Sequence, residues 1–410
     1  MRLLHTSDWH LGRSFHGESL LEEQAAALER IVAIAAEAEV DAVLIAGDLY
    51  DRAIPPAEAV RLFDRTVRRL NEAGAAVVAI AGNHDSNVRV AVYDGLLATL
   101  GVAIRGEVLR CDEPLLVAPR RGGAPVAIYP LPFLDPTLDG PSLVPIPGPE
   151  PATEPAPPPQ RLNHEEVTRL ALARIHADRQ RRGGRSVLVA HTFVAGGTAS
   201  ESERELSVGN VERVSVGAFS GFDYVALGHL HGAQELDGPR LAYSGTPLPY
   251  SFSEEKQSKS VRLVELAEDG TPQVELVRLG VGRPLHTLEG PLEQLLVDPA
   301  LEPLREARLR VRLTDAALPL QAMARLRPRF PHIAELRHCP PERDSAAAVA
   351  RAERIGASLT PLERSLAFFA EQQGREAEAA EERLLRQALE AVLNGADRNG
   401  DNIGAPGGDR

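Results

Sequence analysis

The chain has 410 residues, 43% hydrophobic and 25% charged, so it reads as a globular protein able to bury a real core and not as a disordered one. Its formal net charge of −13 argues against coating nucleic acid through a global field, but leaves open a metal-dependent enzyme that meets phosphates through cations and a local basic strip. Its two cysteines, Cys111 and Cys339, stand far apart, which excludes a disulfide framework and a thiolate metal site; any metal must be held by oxygen and imidazole.

The length suits a main domain of about 250 residues with smaller units after it. No run approaches the roughly 18 apolar residues of a membrane span. The opening MRLLHTSDWH has no signal-peptide stretch, so a cytoplasmic location and no membrane partner are expected. Arg2 to Ser7 reads as a first strand, and Leu20 to Glu39 as an amphipathic helix with Leu21, Leu28, Val32 and Ala35 on one side. A second strand, Ala42 to Ala46, runs into GDLYD. The helix Ala57 to Glu72 starts after Pro55 and Pro56 and stops at Gly74. A third strand, Ala75 to Ile80, is broken sharply by AGNHD at Ala81 to Asp85. This is β-α-β-α-β with a polar cluster at each strand's carboxyl end, the edge at which open α/β sheets bind ligands.

Asn87 to Leu100 is expected to be helical, with short strands around Val102 to Leu109 and Val126 to Tyr129. Between Pro141 and Gln160 nine of twenty residues are proline, too many for a packed element, so 141–160 reads as a surface insert. A helix over Leu162 to Arg182 is stopped by Gly183 and Gly184. The strand Ser186 to Ala190 ends at His191, and Asp223 to Leu227 ends in GHLH at Gly228 to His231. Arg240 to Ser244 and Val261 to Leu266 are expected to close a second sheet. The glycine-rich turn Gly280 to Gly282 ends a first domain, 1–280. A small α+β unit follows over 283–345. A helical segment, 346–395, carries Leu362, Leu366, Phe369, Leu384, Leu385 and Leu389 on apolar faces that need a partner, either the body of the chain or another protein. The tail 396–410 is expected to be disordered.

Five strand ends offer side chains suited to a metal: Asp8 and His10; Asp48 and Asp51; Asn83 and His84; His191; and His229 and His231. In extended backbone, residues two apart point the same way, so Asp8 with His10, and His229 with His231, can address one centre or two adjacent ones. A lone DxH says little. DxH, GDxxD, GNHD, H and GHxH in this order, each at a strand end, point to a site for two metal ions. Asp85 reads as the tie between the GNHD turn and backbone amides, and Trp9 as packing beneath the site. His5, His164, His176, His286, His332 and His338 read as structural or solvated. Arg13 and His16 follow the first block closely and are weighed as phosphate contacts.

The pattern resembles the calcineurin-like metallophosphoesterase superfamily, whose five blocks stand here as SDWH, GDLYD, GNHD, AH and GHLH. The resemblance implies an α/β fold: a four-layer α-β-β-α metallophosphoesterase sandwich, a small α+β capping domain and a C-terminal helical segment. It implies one metal held by Asp8, His10, Asp48 and His231, and a second by Asp48, Asn83, His191 and His229, with Asp48 bridging. These ligands suit two divalent ions, Mn2+ first, with Mg2+, Fe or Zn as alternatives. Two such ions acidify and orient a water for in-line attack on phosphorus, and the resemblance makes His84 the general acid. Asp51 stands either as the partner of His84 or as a cap near the next helix start.

Between the blocks, SDWHLGRSFHG, SESERELSVG, FDYVALGHLHGAQ and YSGTPLPYSFSEE with Lys259 look like the SbcD family of bacterial nuclease subunits. That implies an Mn-dependent DNA exonuclease at double-strand ends and an endonuclease on single strands or hairpins, serving repair and recombination. It also implies an SbcC-type coiled-coil ATPase docked on the helical segment, and nucleoid association on DNA. A homodimer within a heterotetramer is implied as well, its interface near Asn87 to Leu100. The alternatives are a phosphatase or small-nucleotide phosphodiesterase on the same scaffold, or an inactive scaffold for the ATPase.

Overall fold

The computed structural model describes residues 1–92, 94–144, 162–203, 213–341, 360–373 and 375–396. Two six-stranded sheets dominate. In the first, Arg2–Thr6, Ala42–Ile45, Ala76–Ile80 and Val102–Arg105 run parallel, and Ser260–Leu266 then Pro272–Arg278 extend it antiparallel beside Arg2–Thr6. In the second, Val126–Leu131, Ser186–His191, Tyr224–Gly228 and Leu241–Tyr243 run parallel between antiparallel edges at Leu115–Val117 and Gln234–Asp237.

The inner strands are apolar on both faces because both faces are covered. Leu3, Leu44, Val78 and Ile80 of the first sheet meet Ile128, Val187, Val189 and Ala226 of the second. On the first sheet's other face, Leu4, Val43, Ile45 and Val77 lie under helices Leu21–Glu37 and Ala57–Glu72 through Leu28, Ile31, Leu62 and Leu70. On the second sheet's other face, Tyr129, Leu188, Ala190 and Val225 lie under helix His164–Arg182 through Val167, Ala171, Leu172 and Ile175. Each fully buried aliphatic side chain contributes roughly 1.5–3 kcal/mol. The result is the expected α-β-β-α order. Parallel strands linked by crossovers put their carboxyl ends, and so their polar turns, along one edge.

Three elements differ from expectation. Ser260–Leu266 belongs to the first sheet, with Leu263 opposite Leu4, and not to the second. A strand's apolar pattern marks it as a strand but does not name its neighbour. Asn87 to Leu100 is not one helix but Asn87–Val90, Asp94–Leu97 and a 3-10 turn at Ala98–Leu100. Its chain folds around buried Asp94, which accepts the Ile104 N–H at 2.9 Å and pairs with Arg105 and Arg110. The proline-rich stretch begins inside a short helix, Gly140–Leu143; its remainder from 145 on lies outside the described residues. Edge strands Leu115–Val117, Gln234–Asp237 and Pro272–Arg278 are additions, each half exposed and so without a continuous apolar run.

The chain divides into two compact units. The first takes Met1–Thr287, Glu302–Arg310 and Phe330–Glu335; the second takes Leu288–Leu301, Val311–Arg329 and the chain from Leu336 onward. Strands Leu285–Gly290, Arg308–Leu313 and Ile333–His338 form a three-stranded sheet in that order. Within the second unit, helices Pro361–Gln373 and Ala379–Ala396 pack together, Arg375 pairing with Glu381 and stacking on Phe369. The expected tail, beyond Ala396, and residues 346–359 of the expected helical segment lie outside the described residues.

Candidate metal centre

Every candidate ligand sits at or just past the carboxyl end of a strand. Arg2–Thr6 leads to Asp8 and His10, Ala42–Ile45 to Asp48, and Ala76–Ile80 to Asn83 and His84; His191 ends its own strand, and Tyr224–Gly228 leads to His229 and His231. Four of these residues hold positive φ: Asp8 at 53°, His10 at 44°, Asp48 at 48° and His229 at 109°. Such backbone costs on the order of 1–3 kcal/mol per residue and persists only where neighbours over-determine it. Here they do. The Asp8 N–H donates to Gly47 O at 3.0 Å, the His10 N–H to Asp48 O at 2.9 Å, and the His229 N–H to the Asp8 carboxylate at 3.0 and 3.1 Å. Two glycines allow the turns to meet: a Cβ at Gly82 would stand 2.1 Å from Asp48 Oδ1, and one at Gly228 1.7 Å from Ala46 O.

The seven candidate ligands converge. His10 Nε2 lies 3.2 Å from His231 Nε2 and 3.5 Å from Asp48 Oδ2. His191 Nε2 lies 3.7 Å from Asp48 Oδ2 and 3.0 Å from Asn83 Oδ1, which is also 3.2 Å from His229 Nδ1. Ligand atoms of Asp8, His10 and His231 fall within 4.8 Å of one another, as do those of Asp8, Asp48 and His191. Asp48 reaches both groups of imidazoles.

The donor set fits divalent cations. Ala46 O only accepts, so His191 donates to it from Nδ1 at 2.8 Å, and His191 Nε2 then faces Asn83 Oδ1 acceptor to acceptor. His10 Nδ1 and Asn83 Nδ2 are buried without a hydrogen-bond partner. Burial holds the imidazoles of His10, His191 and His229 below their usual range, in the neutral form that ligates. Burial, and then the Asp48 charge, push the Asp8 carboxyl well above the usual carboxylate range. Buried carboxylates and imidazole lone pairs turned toward one centre are costly until a cation joins them.

His84 stands beside this cluster and is only half buried; its ring centroid is 4.7 Å from that of His10, and its N–H donates to Asp48 Oδ1 at 2.9 Å. It lies within ligand reach of His10 and Asp48, so distance alone admits it as a ligand; its exposure sets it apart from the buried imidazoles of His10, His191, His229 and His231. His84 Nδ1 donates to the main-chain carbonyl of Asp51 at 2.9 Å. The Asp51 carboxylate lies instead 3.5 Å from Arg13 Nη1 and 3.8 Å from His10 Nδ1. The last residue of GDLYD thus meets His84 with backbone and not with the expected carboxylate. Neither is Asp51 a helix cap, because Ala57–Glu72 starts at Pro56 with no side-chain cap.

Asp85 accepts the N–H groups of Leu49, Tyr50 and Gly82, each at 2.9 Å, and ties two ligand turns together. Burial and Asp48 push its carboxyl up to about 7 against those three bonds. Trp9 is fully buried and donates to Thr6 Oγ1 at 2.9 Å, a packing role. Arg13 is engaged by Asp51, the Ser202 carbonyl and the Tyr250 ring. Several supports have no local signal. Gln24 Nε2 donates to the carbonyls of Trp9 and His10 at 3.1 and 2.7 Å, and the Tyr250 hydroxyl to Trp9 O at 2.6 Å. Ser202, Glu203, Glu254 and Lys259 surround His231. Only the resemblance of SESERELSVG and YSGTPLPYSFSEE to a family hinted at these last residues.

The family profile described as calcineurin-like phosphoesterase matches residues 1–233. The SbcD protein of the SbcCD nuclease from Staphylococcus saprophyticus is 33% identical over 299 residues, covering 72% of this chain and 73% of that protein. Its counterpart from Escherichia coli K12 is 32% identical over 308 residues, covering 72% of each. The one from Staphylococcus epidermidis is 29% identical over 337 residues, covering 82% of this chain and 85% of the relative. The chain belongs to the SbcD family of calcineurin-like phosphoesterases. As an SbcD-family protein it is a metal-dependent phosphodiesterase, and the clustered imidazoles and carboxylates support divalent metal binding. Among the described residues of this SbcD-family chain, no helix is long and apolar enough to cross a membrane.

Proposed function

We propose that this chain is the Mn2+-dependent nuclease subunit of an SbcCD-like, ATP-driven complex. It hydrolyses DNA phosphodiesters at double-strand ends as an exonuclease and in single strands or hairpins as an endonuclease, in repair and recombination. The observation that carries the reading is the convergence of seven oxygen and imidazole donors where the carboxyl ends of the two sheets' strands meet, in a chain whose relatives are named as SbcD proteins of the SbcCD nuclease.

Asp8, His10, Asp48 and His231 would hold one ion, and Asp48, Asn83, His191 and His229 the other. Bound there, two divalent ions supply an activated water and positive charge for the phosphate. Asp48 offers one carboxylate to both, and Asn83 adds a neutral oxygen that leaves net positive charge at the centre. His84, held through Nδ1 by the Asp51 carbonyl, keeps Nε2 as the atom that hands a proton to the departing oxygen. Asp51 acts on His10 and Arg13 through its carboxylate and on His84 through its carbonyl.

The partner reading follows from charge and exposed surface. With a net charge of −13, long-range attraction for DNA falls to an SbcC-type coiled-coil ATPase that the helices between 346 and 395 dock on. The unit at 283–345 acts as a capping domain that admits DNA ends. Val88, Leu96 and Leu100 on the short helices after GNHD, and Val92 in the turn between two of them, are exposed and support a homodimer within a heterotetramer. The protein works in the cytoplasm, on the nucleoid when DNA-bound.

The test is nucleotide release from labelled linear duplex and hairpin DNA with Mn2+, with and without the ATPase. Release from both substrates, dependent on Mn2+ and raised by ATP with the partner, is expected. Hydrolysis of free nucleotides or phosphomonoesters with DNA left intact would overturn the nuclease reading, and no turnover of any substrate would favour a scaffold.

A further inference from the structure

We propose that Ser202, Glu254 and Lys259 are positioning residues that aim His231 Nε2 into the metal centre. This rests on the reading that the centre holds two ions. Every polar atom of His231 other than Nε2 has a partner outside the candidate ligands. Its N–H donates to Glu203 Oε1 at 2.7 Å, and its carbonyl accepts from Lys259 Nζ at 2.9 Å and from the Thr246 N–H at 3.1 Å. Its Nδ1 lies 2.5 Å from Ser202 Oγ, which lies 2.5 Å from Glu254 Oε1.

The proton order in this chain follows from what each group can give. A carboxylate only accepts, so the Ser202 hydroxyl spends its single proton on Glu254. Ser202 Oγ then accepts from His231, which puts the imidazole proton on Nδ1 and the lone pair on Nε2. That lone pair faces His10 Nε2 at 3.2 Å, in the group that includes Asp8. Lys259 closes the loop, pairing with the fully buried Glu254 while it donates to the His231 carbonyl. A buried ion pair is no better for stability than apolar residues of the same shape, so its two arms ending on one residue point to orientation of that residue. His191 obtains the same orientation from the backbone carbonyl of Ala46, which no side-chain substitution removes. His231 relies on a hydroxyl that one substitution deletes.

The experiment is Mn2+ titration of the full chain, read by electron paramagnetic resonance, beside the thermal midpoint of the metal-free protein. The parent is expected to take up two ions. Ser202→Ala is expected to weaken one of them by about 10–100-fold and leave the other within about twofold. Its metal-free midpoint stays within about 2 °C of the parent's, and Ser202→Thr, which keeps a hydroxyl, restores the affinity. Glu254→Gln is expected to weaken the same ion, with a lower midpoint because Lys259 loses its partner. Parental affinity in both Ser202→Ala and Glu254→Gln would overturn the inference. So would equal weakening of both ions in step with a fallen midpoint, the mark of a merely structural role. A parent that binds fewer than two ions would overturn the two-metal reading itself and the inference with it.

Discussion

His5 and His10 lie five positions apart, both fully buried, yet their surroundings are opposite in kind. His5 bridges the two sheets with both ring nitrogens satisfied: Nδ1 accepts from the Tyr224 hydroxyl at 2.9 Å and Nε2 donates to Leu227 O at 3.0 Å. Around it, buried Arg262 is satisfied too, donating to Tyr243 O and Glu235. His10 has no hydrogen-bond partner for Nδ1, and its Nε2 faces another imidazole nitrogen and a carboxylate. A buried polar group with its bonds made stiffens a fold; several with bonds unmade and aimed at one point describe a place for an ion. Mid-strand backbone is regular, whereas the mouth holds four residues at positive φ. The sheet carries order, and its edge carries strain and charge.

Removing the mouth's shared carboxylate breaks the comparison most sharply. Asp48→Asn is expected to abolish Mn2+-dependent phosphodiesterase turnover, a loss on the order of 10⁴-fold or more, because its carboxylate reaches both groups of imidazoles. Metal-free stability should not fall, since Asp48 is one of the causes that raise the Asp8 carboxyl. Denaturant melts beside the turnover assay check both; a protein that unfolds but keeps turnover per folded molecule would make Asp48 structural. His84→Gln ranks next. It should lower kcat by about 10²–10³-fold while both ions still bind, because His84 is argued to carry a proton and not a metal. Loss of one ion in calorimetric titration would instead make it a ligand. Gly82→Ala is smaller again: the new Cβ meets Asp48 Oδ1 at 2.1 Å and its backbone N at 2.3 Å, so the carboxylate must shift. Metal affinity should drop by about 10–100-fold, with kcat at saturating metal changed less.

The candidate ligands were legible as a group because each stands where an apolar strand runs out into polar residues, by way of a Gly before Asp48, Asn83 and His229, a pattern repeated until one shared mouth explains it. Asp85 was legible for the same reason, its three amide donors coming from turns within reach of its own. Asp51 was only half legible. Its position predicted contact with His84, but whether carbonyl or carboxylate makes it depends on a turn's dihedrals, which residue types do not dictate. Ser202, Glu254 and Lys259 were not legible as supports, because the bonds that unite them with His231 cross stretches of chain that no periodicity links. The neighbour of Ser260–Leu266 failed likewise: register and sheet membership are tertiary facts.

The smallest expected effect tests the other half of the comparison. Burial, and then the charge of Arg262, push the His5 imidazole down to about 3 from an ordinary 6.5. Its unfolded form therefore binds a proton that the folded form refuses, so the contribution is fully present above pH 6.5 and is lost as pH falls toward 3. Between pH 7 and pH 5 this one group should cost the metal-free protein about 2 kcal/mol. His5→Gln keeps a donor and an acceptor but does not titrate, so its stability should fall less over that interval by about the same 2 kcal/mol. Urea melts at the two pH values read the difference, and the acid responses of His10, His191 and His229, common to both proteins, cancel. Turnover per folded molecule should match the parent's, because His5 touches Tyr224 and Leu227 and none of the ligands. Parallel pH slopes, or lost turnover, would mean that the satisfied histidine and the unsatisfied one are not separate in kind.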